Sequence, residues 1–318
     1  MSTVLPVIDG VSASSLFVPK DVPEHMTLCA YLNQRFGHIA ATQWQQRFNA
    51  QQVFNRQGFV LDKEVLVKQV SGQKIFYYRF VENEPVIPFD ADILYEDENV
   101  VVADKPHFLP VIPAGQYVQQ TLLVRLRQQL QCDELTAVHR IDRETAGLVL
   151  LVKKASLRHV YQDLFRTCEV HKQYEAIAPW RPEYSYPFCH QSRLQEGDTF
   201  FCMQETDGPV NAITHIDVIE MQGQWARYAL QPITGKRHQL RVHLNALGMP
   251  IAYDGFYPKA KAINSDDDSR PLQLLAKQLS FVDPMSGKQH QWQSALSLLP
   301  LSHFTNTQQS LDELMPNK

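Results

Sequence analysis

The chain has 318 residues, 44% of them hydrophobic, and a formal net charge of -4. That length supports one large domain and a smaller one, and the charge argues against coating nucleic acid by bulk electrostatics. No apolar run reaches the ~18 residues of a spanning helix, and the first residues lack a signal peptide's basic start and unbroken apolar stretch, so a cytoplasmic protein off the membrane is expected.

Residues 1 to about 25 carry turn-formers without a period and read as an irregular arm. The next stretch has helix-like spacing, a turn at Asn55-Arg56-Gln57-Gly58, and strand-like runs VLVKQV (65–70) and KIFYYRF (74–80). Residues 1–85 are therefore assigned to a small N-terminal α/β accessory domain, ended by the proline-bearing linker ENEPVIPFD.

From Ile93 the segment ILYEDENVVVADKP is a hairpin signal turning at Asp97-Glu98-Asn99. Residues 148–154 read as a buried strand. Leu157, Val160, Tyr161, Leu164, Phe165 and Cys168 then follow the spacing of one helical face and are expected in the core. Strands are predicted at YEAIAPW, AITHIDVIE and ARYALQPI, giving residues 86–300 an α+β fold on a largely antiparallel mixed sheet flanked by helices. Residues 301–318 are read as a polar tail.

Three places carry chemistry-bearing residues. In HRIDRETAG, charged side chains run straight into the apolar strand with Gly147 at the junction, so Asp142 could be presented by a loop on a rigid scaffold. By composition alone the same run is more simply a solvated turn. In ITGKRHQLRVH, Lys236, Arg237 and His238 would precede a helix whose free N–H groups favour phosphate; a charged turn is the alternative. Lys172-Gln173-Tyr174 puts a base and an aromatic at a strand start.

The five cysteines are scattered without a Cys-x-x-Cys pair, which fits reduced thiols. Cys189-His190 has no further metal ligands nearby in sequence and is read as structural.

Taken in order, these pieces resemble the RluA-type family of pseudouridine synthases. His139-Arg140-Ile141-Asp142-x-x-Thr145-Ala146-Gly147-Leu148 resembles the family's HRLD-x-x-T-[SA]-G, and Lys172-Gln173-Tyr174-Glu175-Ala176 its K-x-Y-x-A strand. Pro209 to Thr214 resembles a degraded K-x-A-x-T, Thr234 to His243 the TGR-x-HQIRVH segment, and Leu274-Leu275-Ala276 with Phe281 and Pro284 the closing strand. The chain departs at His107-Phe108-Leu109-Pro110, where the family usually has a glycine, at Leu275, where histidine is frequent, and at Lys236, where arginine is usual.

The resemblance implies isomerisation of uridine in structured rRNA or tRNA, with Asp142 as catalytic carboxylate and Tyr174 and Arg241 beside it. It also implies RNA contacts through His139, Arg140, Arg143, Thr145, Lys172, Lys236, Arg237, His238 and Leu240. An RNA stem-loop is the expected partner, a monomer the expected state, and no metal or cofactor is called for. A non-catalytic RNA-binding protein on the same fold is the alternative. Residues 1–85 resemble, through Val53 to Gly58, the small RNA-binding module often attached to the family, with a generic accessory domain as the other reading. A glycosidase would need a second carboxylate, for which Glu144 is the local candidate.

Overall fold

The computed structural model describes residues 5–37, 39–197, 202–260 and 267–306. Two compact units divide the chain. One comprises 1–85 with 113–119 and 124–133, and the other 86–112 with 120–123 and 134–318.

In the first unit, β1 (Ser14–Phe17), α1 (Leu28–Arg35), α2 (Ala41–Asn49), β2 (Val53–Phe54) and β3 (Lys74–Tyr77) surround a three-stranded antiparallel sheet ordered β1-β3-β2. Thr27 caps α1 by accepting from the Ala30 N–H at 3.2 Å. Leu28, Leu32, Trp44 and Phe48 pack on Val53 and Ile75. Part of the expected strand VLVKQV is instead a 3₁₀ turn over Val67–Val70. Val67 and Val70 both reach this core, and a three-residue spacing suits a three-residue turn rather than two-residue alternation. The unit's later segments are tied in by Arg127, which donates to the Gly10 carbonyl at 2.9 Å and the Ser12 hydroxyl at 2.8 Å.

The second unit is built on β4 (Asp92–Glu96) and β5 (Val100–Lys105), the expected hairpin; α3 (Leu122–Leu130) follows and contributes residues to both units. Then come β6 (Thr136–Ala137), β7 (Ala146–Val152), α4 (Arg158–Arg166), β8 (His171–Pro179), β9 (Phe188–Glu196), β10 (Met203–Thr206), β11 (Ala212–Gln222) and β12 (Trp225–Pro232). The chain ends its described part with α5 (Gln239–Ala246), β13 (Leu274–Val282), β14 (Gln289–Gln293) and α6 (Leu301–Asn306).

One eleven-stranded sheet results, ordered β10-β9-β11-β12-β8-β13-β7-β5-β4, with β14 on β13 and β6 on β7. Among the described residues the β7–β13 pair alone is parallel, so the sheet is mixed and largely antiparallel as expected. Helices cover it: Tyr161 and Leu164 of α4 pack on Val100, Leu150 and Phe281, while Leu240 and Leu244 of α5 pack on Tyr228 and Leu230.

Residues 301–306, read from sequence as the start of a polar tail, form α6, with Leu301 and Phe304 buried against Trp225. Leu-x-x-Phe supplies an apolar stripe that the surrounding polar residues hide in a composition reading; residues 307–318 lie outside the described residues.

All seven residues of β7 are buried, as a strand covered on both faces requires. Gly147, its second residue, has φ +109, and a Cβ there would come within 2.7 Å of the Ala276 nitrogen and closer still to the Ala276 oxygen. Glycine alone permits that backbone approach, and the approach fixes where the preceding loop, residues 138–145, enters the sheet.

Candidate active site

The loop is pinned from both sides. His139 Nε2 accepts from the Leu150 N–H at 3.0 Å while its ring stacks on Phe165 with centroids 4.4 Å apart. Burial, reinforced by Lys172, pushes its pKa down to about 3, so it stays neutral and able to accept. On the other side the fully buried Lys105 donates to the carbonyls of Pro106 (2.9 Å) and Arg143 (3.1 Å), and His107 Nδ1 donates to the Glu144 carbonyl at 2.6 Å. Burial lowers the Lys105 pKa to about 7 despite the neighbouring Glu144 and Asp142 carboxylates. The Thr145 N–H closes the turn on the Asp142 carbonyl at 3.2 Å.

Asp142 projects from this turn with a quarter of its side chain exposed. It meets Arg241 of α5, whose side chain is 1% exposed. Arg241 Nη1 lies 3.2 Å from Asp142 Oδ2 and 3.5 Å from Glu144 Oε2. Its other face is held in a two-pronged pair with the fully buried Asp254, Nε to Oδ2 at 2.8 Å and Nη2 to Oδ1 at 2.6 Å.

A guanidinium taken out of water needs such partners, because a lone buried charge costs several kcal/mol (~20 in the Born limit). Burial alone would raise the Asp142 pKa; Arg241 first, then His238 and Lys105, outweigh it and hold the carboxyl below its ordinary range. Burial opposes the Arg241 charge too, but Asp254, Asp142 and Glu144 secure it.

A cleft of about 240 Å³ opens over Asp142. Tyr174 of β8 lines it, and its phenol is held protonated by burial and by Asp142. Arg140, Thr145, Lys172 and the loop from Thr234 to Leu240 line it as well. Thr145 is buried and Arg140 exposed at the rim. Lys172 donates to the Thr234 carbonyl at 3.3 Å, and Leu240 forms part of the floor, being also a core residue.

His238 immediately precedes α5 in the left-handed region, φ +54, stacks on Phe256, shares a hydrogen bond with the Tyr257 hydroxyl at 3.0 Å and brings Nε2 to 3.9 Å from Asp142 Oδ1. The basic residues Lys236, Arg237 and His238 thus do precede a helix, as the spacing predicted.

Two expected RNA contacts do not line the cleft. His139 is committed to Leu150 and Phe165, and Arg143 lies over the Phe108 ring, 5.9 Å from its centroid, with Glu144 3.6 Å away. Sequence patterning cannot say which way a loop side chain turns.

Asp254 and Gln239 were not among the expected site residues, though Gln239 lies within the Thr234–His243 motif. Gln239 is buried and accepts from the Thr234 hydroxyl at 2.7 Å and the Lys236 N–H at 3.1 Å, while donating to the Ile213 carbonyl and the Thr214 hydroxyl at 3.0 Å each. It therefore straps the basic loop to β11. The signal that could have found Asp254 was physical: a buried arginine between apolar helix positions demands a counter-charge. The departure at His107-Phe108 also has a structural counterpart. Phe108 sits at φ +65, a conformation glycine adopts without strain, and its ring is buried 6.2 Å from Phe89.

Residues 99–246 match the family model described as RNA pseudouridylate synthase. A dual-specificity RNA pseudouridine synthase RluA from Vibrio cholerae is 31% identical over 210 residues, 64% of this chain and 82% of its own. The mitochondrial tRNA pseudouridine(32) synthase of Saccharomyces cerevisiae is 32% identical over 191 residues, 59% of this chain and 41% of its own length. Among solved structures, human RNA pseudouridylate synthase domain containing 4 aligns with a TM-score of 0.51 at 29% identity, covering 71% of this chain and 94% of that one.

Proposed function

The chain belongs to the RluA-type family of RNA pseudouridine synthases and isomerises uridine in RNA, and we propose that it does so with Asp142 as the reacting carboxylate, Arg241 as its fixed counter-charge and Tyr174 as the face on which the uracil rests. The observation that carries this reading is the Asp142–Arg241–Asp254 array at the floor of the cleft. The reaction breaks the bond from ribose C1′ to N1, turns the base and rejoins C1′ to C5, without net oxidation. Attack on the sugar, attack on the base and elimination all need an ionised carboxylate at the glycosidic carbon or its neighbours. The depressed pKa of Asp142 supplies one at neutral pH. Arg241, immobilised by Asp254, keeps the carboxylate oriented without drawing it into a full two-pronged pair.

A phenol held protonated is a poor free base, so Tyr174 acts on the C5 proton as a relay, accepting it while passing its own to water, from which N1 of the product takes up a proton, and offers its ring for stacking. Extruding a base costs a few kcal/mol of stacking. The exposed guanidinium of Arg140 at the rim is placed to fill the vacated stack. Lys172, Lys236 and Arg237 then hold phosphates around it, with His238 and Thr145 completing the wall.

The substrate proposed is a stem-loop of rRNA or tRNA, met by a cytoplasmic monomer. No helix among the described residues is long and apolar enough to cross a membrane. The deciding experiment is Asp142→Asn on total RNA in vitro. Pseudouridine should disappear while RNA affinity holds within about twofold; conversion at the wild-type rate would remove Asp142 from the chemistry. Absence of turnover by the wild-type protein on every RNA class would favour a binding protein that keeps the fold.

A further inference from the structure

A second cluster lies on the sheet face beneath α5, apart from the cleft. His190 of β9 and Glu205 of β10 point to the same side, with His190 Nε2 2.8 Å from Glu205 Oε1. From α5 above them, His243 brings Nε2 to 3.9 Å from the same oxygen. One donor atom from each residue lies within 4.8 Å of the others. Two imidazoles and a carboxylate are a ligand set suited to zinc, whose bonds of about 2.0–2.2 Å place tetrahedral donors roughly 3.4 Å apart. The observed separations bracket that spacing. The sequence reading found no companions for His190 because they come from another strand and a helix.

The surroundings favour ligation. His243 is fully buried, and its Nδ1 lies 2.9 Å from the Thr214 hydroxyl, which Gln239 also contacts. If Nδ1 donates there, Nε2 is left as a lone pair aimed at Glu205 and at Ser192 Oγ, 3.1 Å away. That arrangement, in which the far ring nitrogen is fixed by a hydroxyl, is how ligating histidines are commonly oriented. On the outer side His190 and Glu205 are 21% and 27% exposed, leaving room for a metal to enter and for a fourth, solvent ligand.

We propose that His190, Glu205 and His243 form a site for one divalent zinc-class ion, which clips β9, β10 and α5 together. The ion's role is structural: α5 also carries Arg241, two residues before His243, so the clip steadies the helix from which the guanidinium reaches Asp142. The proposal does not depend on the assignment of the reaction.

The test uses the full chain, stripped with a chelator and titrated with cobalt(II), whose tetrahedral complexes absorb in the visible, followed by zinc(II) to displace it. One equivalent should bind, and a metal concentration a hundredfold above Kd should raise Tm by about 5–10 °C. His190→Ala should abolish both signals, as should Glu205→Gln, which keeps the side chain's size if His190→Ala fails to fold. Cys189→Ala, on the opposite face of the strand, should change neither. Equal binding by wild type and Glu205→Gln would overturn the proposal, as would no Tm shift in the wild type at hundred-micromolar metal; either result would leave the three residues as a hydrogen-bonded network only.

Discussion

Asp254→Asn isolates the group that aims Arg241. The carboxylate is fully buried; Oδ2 accepts from Arg241 Nε, and Oδ1 accepts from Arg241 Nη2 and from the N–H groups of Phe256 and Tyr257. An asparagine keeping its oxygen at the more heavily used Oδ1 position turns an NH₂ toward the Arg241 Nε–H, setting donor against donor inside the protein. Breaking one partner of a buried pair costs about 3–5 kcal/mol. Asp142 and Glu144 still face the guanidinium, which places the loss near the lower end, about 3 kcal/mol.

For a unit of this size that is a Tm decrease of roughly 6–12 °C. A guanidinium released from Asp254 should pair more fully with Asp142, so the single-turnover rate of pseudouridine formation should fall at least tenfold, with RNA affinity little changed. The checks are calorimetry and a single-turnover assay on the same preparation. A variant that melts within a degree of wild type and turns over normally would show that Asp254 does not position Arg241.

Arg241→Met leaves burial, which raises the Asp142 pKa, opposed only by His238 and Lys105, so the pKa moves up. A depressed carboxylate is competent above its lowered pKa and fails only as pH falls through it. The wild-type rate should therefore be flat down to about pH 5, whereas Arg241→Met should show an acid limb moved upward; unchanged limbs would contradict the coupling. His139 and His107 are held neutral by burial, with pKa values of about 3 and 4. The unfolded chain takes protons below about pH 6.5 that the folded one refuses, so the urea midpoint should drop from pH 6.5 to 4.5, and a flat profile there would refute the assignment.

Gly147→Ala should destabilise by about 2–4 kcal/mol through overpacking and strained backbone, measurable by denaturant unfolding; a neutral outcome would mean the β7–β13 seam can spread. In the first unit, Arg56 and Phe59 are exposed at the Asn55–Gly58 turn. If that unit grips RNA, Arg56→Glu with Phe59→Ala should weaken binding and lower the salt slope by about one, and unchanged affinity would leave it an accessory domain.

The strands β4, β5, β7, β8, β11 and β12 were legible because their apolar runs are bounded by turns, and α4 because its apolar stripe keeps helical period. β9 and β10 were not. FCHQSRLQE alternates half-buried polar residues with exposed ones, and a strand stabilised by His, Ser and Glu contacts leaves no hydrophobic period. At the site, Asp142, Tyr174 and Arg241 do converge on one cleft, and it was the order of motifs, rather than the local composition of the charged loop, that pointed there. His139 and Arg143 do not line the cleft; spacing gives position along the chain but not the direction of a side chain. Asp254 was hidden because a single aspartate in a turn looks the same whether it is solvated or serves a buried guanidinium.

The parallel seam between β7 and β13 also orders events during synthesis. β4, β5, β6 and β7 are made consecutively and pair with one another, yet the Ala146–Gly147 end of the edge that β6 shares waits for Leu275 and Ala276. At about 5–20 residues per second the ribosome needs on the order of ten seconds to deliver them. Through that interval the Ala146–Gly147 end of an apolar strand shows an unpaired edge, the sort of surface that invites strand addition by a neighbouring nascent chain. The seam that fixes the site's geometry is thus also the protein's period of greatest exposure to misassembly. Slower elongation after Val152 should raise its demand for chaperones.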